Sequence, residues 1–272
     1  MTSDTTFLRS LLETAVDAGH QAGQKALSLM GKVASTVKNN REIVTEADHQ
    51  CQRLIIDRIQ RDFPGHGFIG EEGDAGNCFK QPPHHDQDVW WVIDPIDGTN
   101  NYIHGLPQFS VSIAAIQQGR PSVGVVYDPS TDCLFTAVGE DRPLVNGAPM
   151  SVSEETLNAY CSIGIDSHFG GSIPDWLCRI MVRCRFRNIG TTALHLAYTG
   201  KGAYAATILF MPKLWDIAAG CLLAENAGAV STDWAGKPLW PFDLETYEGG
   251  YIPCVVGNPG VHKDILAMIA ST

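Results

Sequence analysis

The sequence predicts a mixed α/β protein whose first half contains helices and an antiparallel sheet and whose second half alternates strands and helices. In the first half, two amphipathic stretches are followed by short apolar runs that tight turns connect. From about residue 159, short apolar runs alternate with stretches of helical periodicity. This alternation is typical of a layered α/β arrangement. We expect one compact unit with a soft boundary near Ser151, between subdomains 1–150 and 151–272.

Two helices are expected near the N-terminus. Apolar residues recur with a helical period over residues 7–29. A polar loop is expected over residues 32–40, and a second helix over residues 47–62. Thr45 and Asp48 lie at the start of this second helix, where helix capping alone would explain both residue types.

Strands and turns dominate the rest of the first half. A short apolar strand over residues 68–70 leads directly into Glu71. A solvated loop is expected over residues 73–87, which are rich in glycine, proline and histidine. The tripeptide Gln118-Gly119-Arg120 is typical of a hairpin turn. Antiparallel strands are expected over residues 110–117, 123–127 and 133–138.

The second half is expected to contain four strands and four helices. The strands are expected over residues 162–165, 186–189, 203–208 and 255–256. The helices are expected over residues 173–184, 192–199, 217–227 and 261–270. Asp216 lies in the first turn of one helix, where an acid is commonly no more than a favourable partner of the helix dipole.

The most informative stretch is WVIDPIDGTNNY, residues 91–102. An apolar run predicts a buried strand, and we expect it to end at Asp94-Pro95 because proline has no N–H to donate to a sheet. Asp94 and Asp97 lie three residues apart on the expected turn. Gly98 and Thr99 follow, with residue types that commonly begin a helix.

This arrangement suits a metal ion and a phosphate group. Two close carboxylates repel each other unless a cation lies between them, and oxygen ligands suit Mg²⁺. Backbone N–H groups at the start of a helix suit an anion. An ordinary acidic Asp-Pro turn remains the simpler alternative. A calcium-binding EF-hand loop is excluded, because Ile96 and Gly105 occupy positions that need oxygen ligands, and the spacing differs from the Asp-x-Asp of haloacid-dehalogenase phosphatases.

Charge and cysteine usage argue against several classes of protein. The chain has 272 residues and a net charge of −11, which argues against a nucleic-acid or anionic-membrane surface. No apolar run is long enough to span a membrane, and residues 1–13 lack the features of a signal peptide. The eight cysteines form no Cys-x-x-Cys pair. We therefore expect a reduced, cytoplasmic protein without nucleic-acid or membrane partners.

Three acidic segments in sequence resemble the motifs of the inositol monophosphatase family. They are Gly70-Glu71-Glu72, residues 94–100 and Trp215-Asp216-Ile217-Ala218-Ala219-Gly220, and residues 44–48, 145–147 and 257–259 are also similar to family segments. The resemblance implies a layered αβαβα sandwich of the inositol monophosphatase/fructose-1,6-bisphosphatase type. It also implies a homodimeric, Mg²⁺-dependent and lithium-sensitive phosphatase of small phosphate esters.

The resemblance also implies which residues hold the metal ions. Glu71, Asp94 and the backbone carbonyl of Ile96 would hold one Mg²⁺. Asp94, Asp97 and Asp216 would hold a second, with Asp94 shared between the two ions. A third, weaker ion near Glu71 is also expected from the resemblance.

The remaining site residues follow from the same resemblance. Gly98 and Thr99 would donate backbone N–H groups to the phosphate. Asp48 and the Thr99 hydroxyl would orient and deprotonate the attacking water, with Glu71 completing the catalytic set. Further contacts with the substrate or its loops are expected from Lys38, Gly190, Thr191 and Leu209.

Leu209 marks a departure from the family pattern. Family members that act on inositol phosphates carry a glutamate at this position, and here no acid occurs between Lys201 and Trp215. We therefore expect an altered alcohol pocket in which inositol monophosphate is a poor substrate and Leu209→Glu improves it. A sugar phosphate, histidinol phosphate or nucleotide 3′-phosphate remains open as the substrate, and a non-catalytic phosphate- and metal-binding module remains open as a different class.

Overall fold

The computed structural model describes residues 2–32, 35–38, 42–74, 77–84 and 88–271. Within these residues it contains seven helices and fifteen strands. The helices are α1 (Thr2–Leu29), α2 (Glu46–Asp62), α3 (Thr99–Ile103), α4 (Asp175–Met181), α5 (Thr192–Gly200), α6 (Leu214–Asn226) and α7 (Pro259–Ala270).

The strands form three sheets. The strands of the first half are β1 (Ser35–Lys38), β2 (Glu42–Thr45), β3 (Gly67–Gly70), β4 (Phe79–Gln81), β5 (Val89–Asp97), β6 (Ser110–Gln117), β7 (Arg120–Asp128), β8 (Cys133–Val138), β9 (Leu144–Val145) and β10 (Ala148–Pro149). Those of the second half are β11 (Ser162–Ile165), β12 (Arg185–Arg187), β13 (Ala206–Leu209), β14 (Val230–Asp233) and β15 (Cys254–Gly257).

The two larger sheets stack with helices into five layers. An eight-stranded sheet has the order β10-β9-β8-β7-β6-β5-β3-β4, and all its neighbours are antiparallel except β3 and β5. A five-stranded sheet has the order β12-β11-β13-β15-β14. Helices α1 and α2 cover the outer face of the larger sheet, α5 and α6 lie between the sheets, and α4 and α7 cover the smaller sheet. This is the αβαβα sandwich that the sequence predicts.

Alternation of side chains along β5 explains why this strand is buried on both faces. Trp91 and Ile93 pack with α1 and α2, whereas Trp90 and Val92 pack with the layer of α5 and α6. Successive side chains of a strand point to opposite faces, so a strand between two helical layers is apolar at every position. Asp94 follows these apolar residues and is the first acid of this buried strand.

Most elements confirm the sequence prediction, and several regions differ, among them the short strands β2, β9 and β10, which the sequence did not predict. Residues 35–38, expected in a loop, form β1, and the expected loop 73–87 contains the short strand β4. Strand β14 has no counterpart in the prediction. The expected end of a strand at Pro95 is wrong, because β5 continues to Asp97 and the pairing with β6 is irregular between Asp94 and Asp97. A residue without an N–H is tolerated at such an irregularity.

Two other predictions concern the division of the chain and its relation to membranes. The division into subdomains 1–150 and 151–272 stays a prediction. In the described part of the chain, no helix combines the length and apolar character that crossing a membrane requires.

Gly124 sets the distance between the larger sheet and α6. A Cβ atom at this position of β7 would lie 2.9 Å from the carbonyl oxygen of Ala219 and 3.2 Å from its Cα atom, both in α6. These are backbone atoms, so the helix would have to move away from the sheet. Since α6 carries Asp216 in its first turn, this close packing also fixes the position of that acid.

We predict that Gly124→Ala lowers the free energy of unfolding by about 1–3 kcal/mol, because it overpacks the contact between sheet and helix. Urea denaturation measures this change. Gly250→Ala is the matched control, since a Cβ atom there meets no heavy atom within 4 Å. Equal stability of the two variants would show that α6 can shift on the sheet without penalty.

Candidate functional site

The acidic motif lies where β5 leaves the sheet and the chain turns into α3. The side chains of Asp94 and Asp97 are buried, with 2% and 7% of their surface exposed. The Asp94 carboxylate accepts a hydrogen bond from the backbone N–H of Ile96 at 3.0 Å. Gly98 follows with a φ of +96°, a conformation that glycine adopts without strain, and it allows α3 to begin directly after the strand.

Three further acids reach Asp94 from other elements. Glu71 follows β3, the parallel neighbour of β5, and its N–H donates to the carbonyl of Ile93 at 3.2 Å. Asp48 and Asp216 lie in the first turns of α2 and α6. The structure thus brings together the acids that the sequence singles out, although they come from four separate segments.

Burial and mutual repulsion raise the pKa values of Asp94, Asp216 and Asp48. The pKa of Asp94 is raised well above its usual range, first by burial and then by the charges of Glu71, Asp97, Asp216 and Asp48. Burial, with the charge of Asp97, raises the pKa of Asp216 to about 7. Burial also raises the pKa of Asp48 to about 6, against the effect of its hydrogen bonds with Thr45. A cation would relieve this accumulation of negative charge.

The carboxylates of the acidic centre are chemically suitable ligands for Mg²⁺. Their side chains, however, do not surround a common point as the ligands of a bound ion would. Buried carboxylates that repel each other are the oxygen ligands that a hard divalent cation prefers. Among the residues that the structure describes, no three acid, histidine or cysteine side chains surround a common point as metal ligands would. The cluster is therefore established as an acidic centre, and its use as a metal centre is taken up below as a proposal.

Asp48 serves both as a helix cap and as a neighbour of the acidic centre. Its Oδ2 atom accepts hydrogen bonds from the N–H and the hydroxyl of Thr45 at 2.8 and 2.6 Å, which closes a capping box at the start of α2. Its Oδ1 atom lies 3.4 Å from the hydroxyl of Thr99. That hydroxyl is also 3.0 Å from the carbonyl oxygen of Ile96, the shorter of the two contacts. Helix capping, which the sequence predicted for Thr45 and Asp48, is thus confirmed, but it does not account for the contact of Asp48 with Thr99.

Asp97 fastens the start of α5 to the acidic centre. Its carboxylate accepts hydrogen bonds from the N–H groups of Thr192 and Ala193 at 3.2 and 2.7 Å. The hydroxyls of Thr191 and Ser110 also donate to it, the latter at 3.3 Å. These hydrogen bonds oppose the effect of burial on the pKa of Asp97, which is nevertheless raised. Sequence reasoning named Thr191 as a possible substrate contact but missed this network, because the hydrogen bonds join segments almost a hundred residues apart.

Two of the expected contact residues lie beside the site. Thr191 is buried and binds Asp97, and it also caps α5 by accepting the N–H of Leu194 at 3.2 Å. Gly190 has a φ of +75°, and a Cβ atom there would lie 2.5 Å from the side chain of Asn101. The side chain of Lys38 lies outside the described residues.

The acidic centre opens into two adjoining cavities of about 770 and 700 Å³. The larger is lined by Thr99, Gly190 and Thr191, and the smaller by Asp216 and Tyr251. They share a boundary that includes Glu71, Ser167, His168 and Met211. A separate basic groove of about 260 Å³ between α1 and α2 contains none of the expected site residues.

Leu209 lies elsewhere than expected. Its side chain is completely buried and packs in the core between the two sheets. Met211, two residues further along, lines both cavities instead. Because Leu209 ends β13 with its side chain turned into the core, it does not provide the apolar wall of an alcohol pocket. The expected benefit of Leu209→Glu therefore loses its structural basis.

We predict that Leu209→Glu destabilises the protein by about 3–5 kcal/mol at pH 7.5, because it buries an unpaired carboxylate in an apolar core. The loss should be smaller at pH 5, since burial raises the pKa of the introduced carboxyl and favours its neutral form. Chemical denaturation at the two pH values measures both effects. Leu209→Met, which conserves volume, is the control and should cost less than about 1.5 kcal/mol. A stable variant with raised inositol phosphate turnover would restore the original expectation.

We predict opposite effects on stability for the two acids of the motif. In EDTA at pH 7.5, Asp94→Asn should be more stable than the wild type, because it removes repulsion at a group whose pKa is raised. Asp97→Asn should lose about 1–3 kcal/mol, because an amide cannot accept all the hydrogen bonds that hold α5. Urea denaturation with and without Mg²⁺ measures both variants.

The difference in stability between Asp94→Asn and the wild type should change with pH in a predictable direction. A carboxyl whose pKa is raised on folding contributes stability below its unfolded pKa and loses it as the pH rises. The advantage of Asp94→Asn should therefore grow as the pH rises from about 4. Adding Mg²⁺ should stabilise the wild type more than the variant. Equal gains from Mg²⁺ would show that Asp94 is not a ligand.

Comparison with known proteins agrees with the fold and the acidic motifs. The model of the inositol monophosphatase family matches residues 8–270. The chain is 33% identical over 261 residues to the fructose-1,6-bisphosphatase/inositol-1-monophosphatase of Thermotoga maritima, covering 95% of each protein. It is also 33% identical over 270 residues to the Nus factor SuhB of Escherichia coli K12, covering 96% of each.

A solved structure supports the same conclusion. The structure of an IMPase from Thermotoga maritima superposes with a TM-score of 0.82 and 29% sequence identity, covering 96% of this chain and 97% of that one. The family match extends over nearly the whole chain, including every acidic segment described above. The chain therefore belongs to the inositol monophosphatase family.

Proposed function

We propose that this protein is a Mg²⁺-dependent phosphomonoesterase that hydrolyses a small phosphorylated alcohol. The observation that carries the proposal is the burial of Asp94 among four other acids at the edge of a cavity of about 770 Å³. A buried acidic cluster beside an open cavity suits metal-assisted chemistry on an anionic substrate. Membership of a phosphatase family supports the reaction class.

The metal ligands are proposed from the family pattern and, for Ile96 and Asp97, from the remaining acceptor capacity of their oxygen atoms. Glu71, Asp94 and the carbonyl of Ile96 would hold one Mg²⁺. Asp94, Asp97 and Asp216 would hold a second, and a third, weaker ion would lie near Glu71. The Ile96 carbonyl has two lone pairs, so it can bind a cation while accepting from Thr99. Asp97 retains capacity on Oδ1, which accepts the N–H of Thr192, while the other donors of the described residues bind Oδ2. When bound, Mg²⁺ supplies positive charge for the phosphate and lowers the pKa of water.

Residues of the chain itself orient the phosphate and the attacking water and accept the proton that the water loses. The N–H groups of Gly98 and Thr99 donate to the phosphate oxygens at the start of α3. The Thr99 hydroxyl orients the attacking water, and its contact with Asp48 at 3.4 Å gives the proton a path to that carboxylate. A pKa of about 6 suits Asp48 as a general base near neutral pH. Glu71, whose charge acts on Asp94, assists in positioning the water.

A binding module without catalysis is the alternative from a different class. Some relatives bear the name Nus factor, which does not describe a phosphatase. A member that had lost catalysis would be expected to lose some of the carboxylates, and here all of them are present and clustered. This favours the phosphatase. A homodimer, a cytoplasmic location and the lack of a nucleic-acid surface stay predictions, the last supported by the net charge of −11.

We predict that phosphate release from a generic phosphomonoester requires Mg²⁺ and that Asp94→Asn lowers kcat/KM by at least about 100-fold, because it removes the shared ligand. A colorimetric phosphate assay with Mg²⁺ or EDTA measures both. Asp128→Asn is the control, since Asp128 is also a buried acid but lies at the end of β7. LiCl against NaCl in the same assay tests the lithium sensitivity that family membership implies. Undiminished activity of Asp94→Asn at saturating Mg²⁺ would refute the proposal.

A further inference from the structure

A buried amide on α2 lies next to the segment that carries Glu71. Gln52 comes four residues after Asp48, so the two side chains lie one above the other on the same face of the helix. Only 5% of the surface of Gln52 is exposed. It lines neither of the two cavities at the acidic centre, and the proposed chemistry does not use it. The role of this amide therefore has to follow from the groups that it binds.

Both ends of the amide bind the main chain of one residue. Nε2 of Gln52 donates to the carbonyl of Glu72 at 2.6 Å, and Oε1 accepts the N–H of Glu72 at 2.9 Å. An amide carries a donor and an acceptor side by side, so it pairs with the N–H and C=O of a residue as the opposite residue of an antiparallel strand would. Both hydrogen bonds are buried, which makes them costly to break.

Gly70 leaves the space that the amide occupies. A Cβ atom at Gly70 would lie 2.5 Å from Oε1 of Gln52 and 2.8 Å from its Cδ atom. Gly70 is the last residue of β3, so the amide lies directly against the strand end from which Glu71 emerges. Any side chain at residue 70 would therefore displace the amide from its place beside the main chain.

Glu71 is thus held through the main chain on both sides. Its own N–H donates to the carbonyl of Ile93 at 3.2 Å, and the next residue is bound by Gln52. The first contact attaches Glu71 to β5, which carries Asp94, and the second attaches it to α2, which carries Asp48. Since the main chain sets the direction of the Cα–Cβ bond and the rotamers that are allowed, these contacts restrict where the Glu71 carboxylate can lie.

The restriction matters because Glu71 and Asp94 repel each other. Burial and, after it, the charge of Glu71 raise the pKa of Asp94, so the two carboxyl groups are close enough to interact strongly. Glu71 lines both cavities, so there is open space into which its side chain can turn. A carboxylate on a loosely held segment would reduce the repulsion by turning away from Asp94. Holding the main chain opposes that movement.

We propose that Gln52 is a positioning residue, which keeps the carboxylate of Glu71 beside Asp94 by holding the main chain of the next residue. It also fixes the distance between Glu71 and Asp48, because Gln52 and Asp48 belong to the same helix. The inference rests on the proposed function, in which Glu71 holds Mg²⁺ and Asp48 accepts the proton. Gln52 acts through the main chain and does not contact the substrate.

The first test needs neither metal nor substrate. In EDTA at pH 7.5, urea denaturation of the wild type, Gln52→Met, Glu71→Gln and the double variant completes a double-mutant cycle. Glu71→Gln should raise the urea midpoint of the wild type, because it removes the repulsion with Asp94. It should raise the midpoint of Gln52→Met by less, because the released carboxylate has already turned away. Equal shifts in the two backgrounds would overturn the proposal.

The second test measures the binding of Mg²⁺ by titration calorimetry without substrate. We expect Gln52→Met to raise the Kd of Mg²⁺ by about 10–100-fold, the effect that removing a group behind a metal ligand commonly has. Asn258→Leu is the matched control. Asn258 is also 5% exposed, and its amide also accepts one backbone N–H and donates to one backbone carbonyl, both at 2.9 Å.

Asn258 caps α7, so its loss should lower the urea midpoint and leave the Kd of Mg²⁺ unchanged. A raised Kd in Gln52→Met with an unchanged Kd in the control would separate positioning from a general loss of stability. An unchanged Kd in Gln52→Met would overturn the proposal, and so would an equal rise in both variants.

Gly70→Ala displaces the same amide from the opposite side. We expect it to raise the Kd of Mg²⁺ as Gln52→Met does. The double variant should bind no more weakly than the weaker single variant, because both changes remove the same contact. Effects that multiply in the double variant would show that the two residues act separately and would overturn the proposal. If Gln52→Met does not fold, Gly70→Ala replaces it in both tests.

Binding of Mg²⁺ by the wild type reports on the proposed function independently of Gln52. If the wild type binds no Mg²⁺, the proposed function fails, and the double-mutant cycle in EDTA then decides the inference by itself. If the wild type binds Mg²⁺ and both Gln52→Met and Gly70→Ala bind it equally well, the inference fails and the proposed function stands.

Discussion

The structure is organised around the burial of Asp94 among acids of its own charge. Each of these acids is held in place by hydrogen bonds or strand pairing, so the repulsion cannot relax by moving the side chains apart. Asp97 accepts from the start of α5, Asp216 accepts the N–H of Lys213 at 2.7 Å, and Asp48 accepts from Thr45. Apolar packing of the five layers provides the free energy that keeps such an unfavourable cluster together.

The layers also decide which end of the molecule carries the site. Strands β3 and β5 are parallel neighbours, and both end where α2 and α6 begin. Parallel strands that end together bring the residues after them to one edge of the sheet, and helix N-termini at that edge favour acids. The cavities open at this edge and nowhere near the basic groove of α1 and α2.

Local patterns predicted much of this, and non-local contacts account for what was missed. Helical periodicity and the hairpin at Gln118-Gly119 follow from neighbours in sequence, and the structure confirms these elements. The acidic motifs are also local patterns, and the structure brings their acids close to Asp94. Strand β14 and the continuation of β5 through Pro95 depend on pairing with distant strands, which periodicity does not reveal. Leu209 was expected in the alcohol pocket because its place in the chain matches that of the family glutamate. A match in sequence does not show the direction in which a side chain points.

The hydrogen bonds of Asp97 also tie the two halves of the chain to each other. Asp97 belongs to the first half, whereas Thr191, Thr192 and Ala193 belong to the second. A fragment that ended near Ser151 would keep the acids of the first half and lose these donors and Asp216. The acidic centre therefore forms only after both halves have docked, so binding of a divalent cation would report on the last step of assembly during synthesis of the chain. Proteolytic separation of the halves would erase the site even where each retained its own sheet.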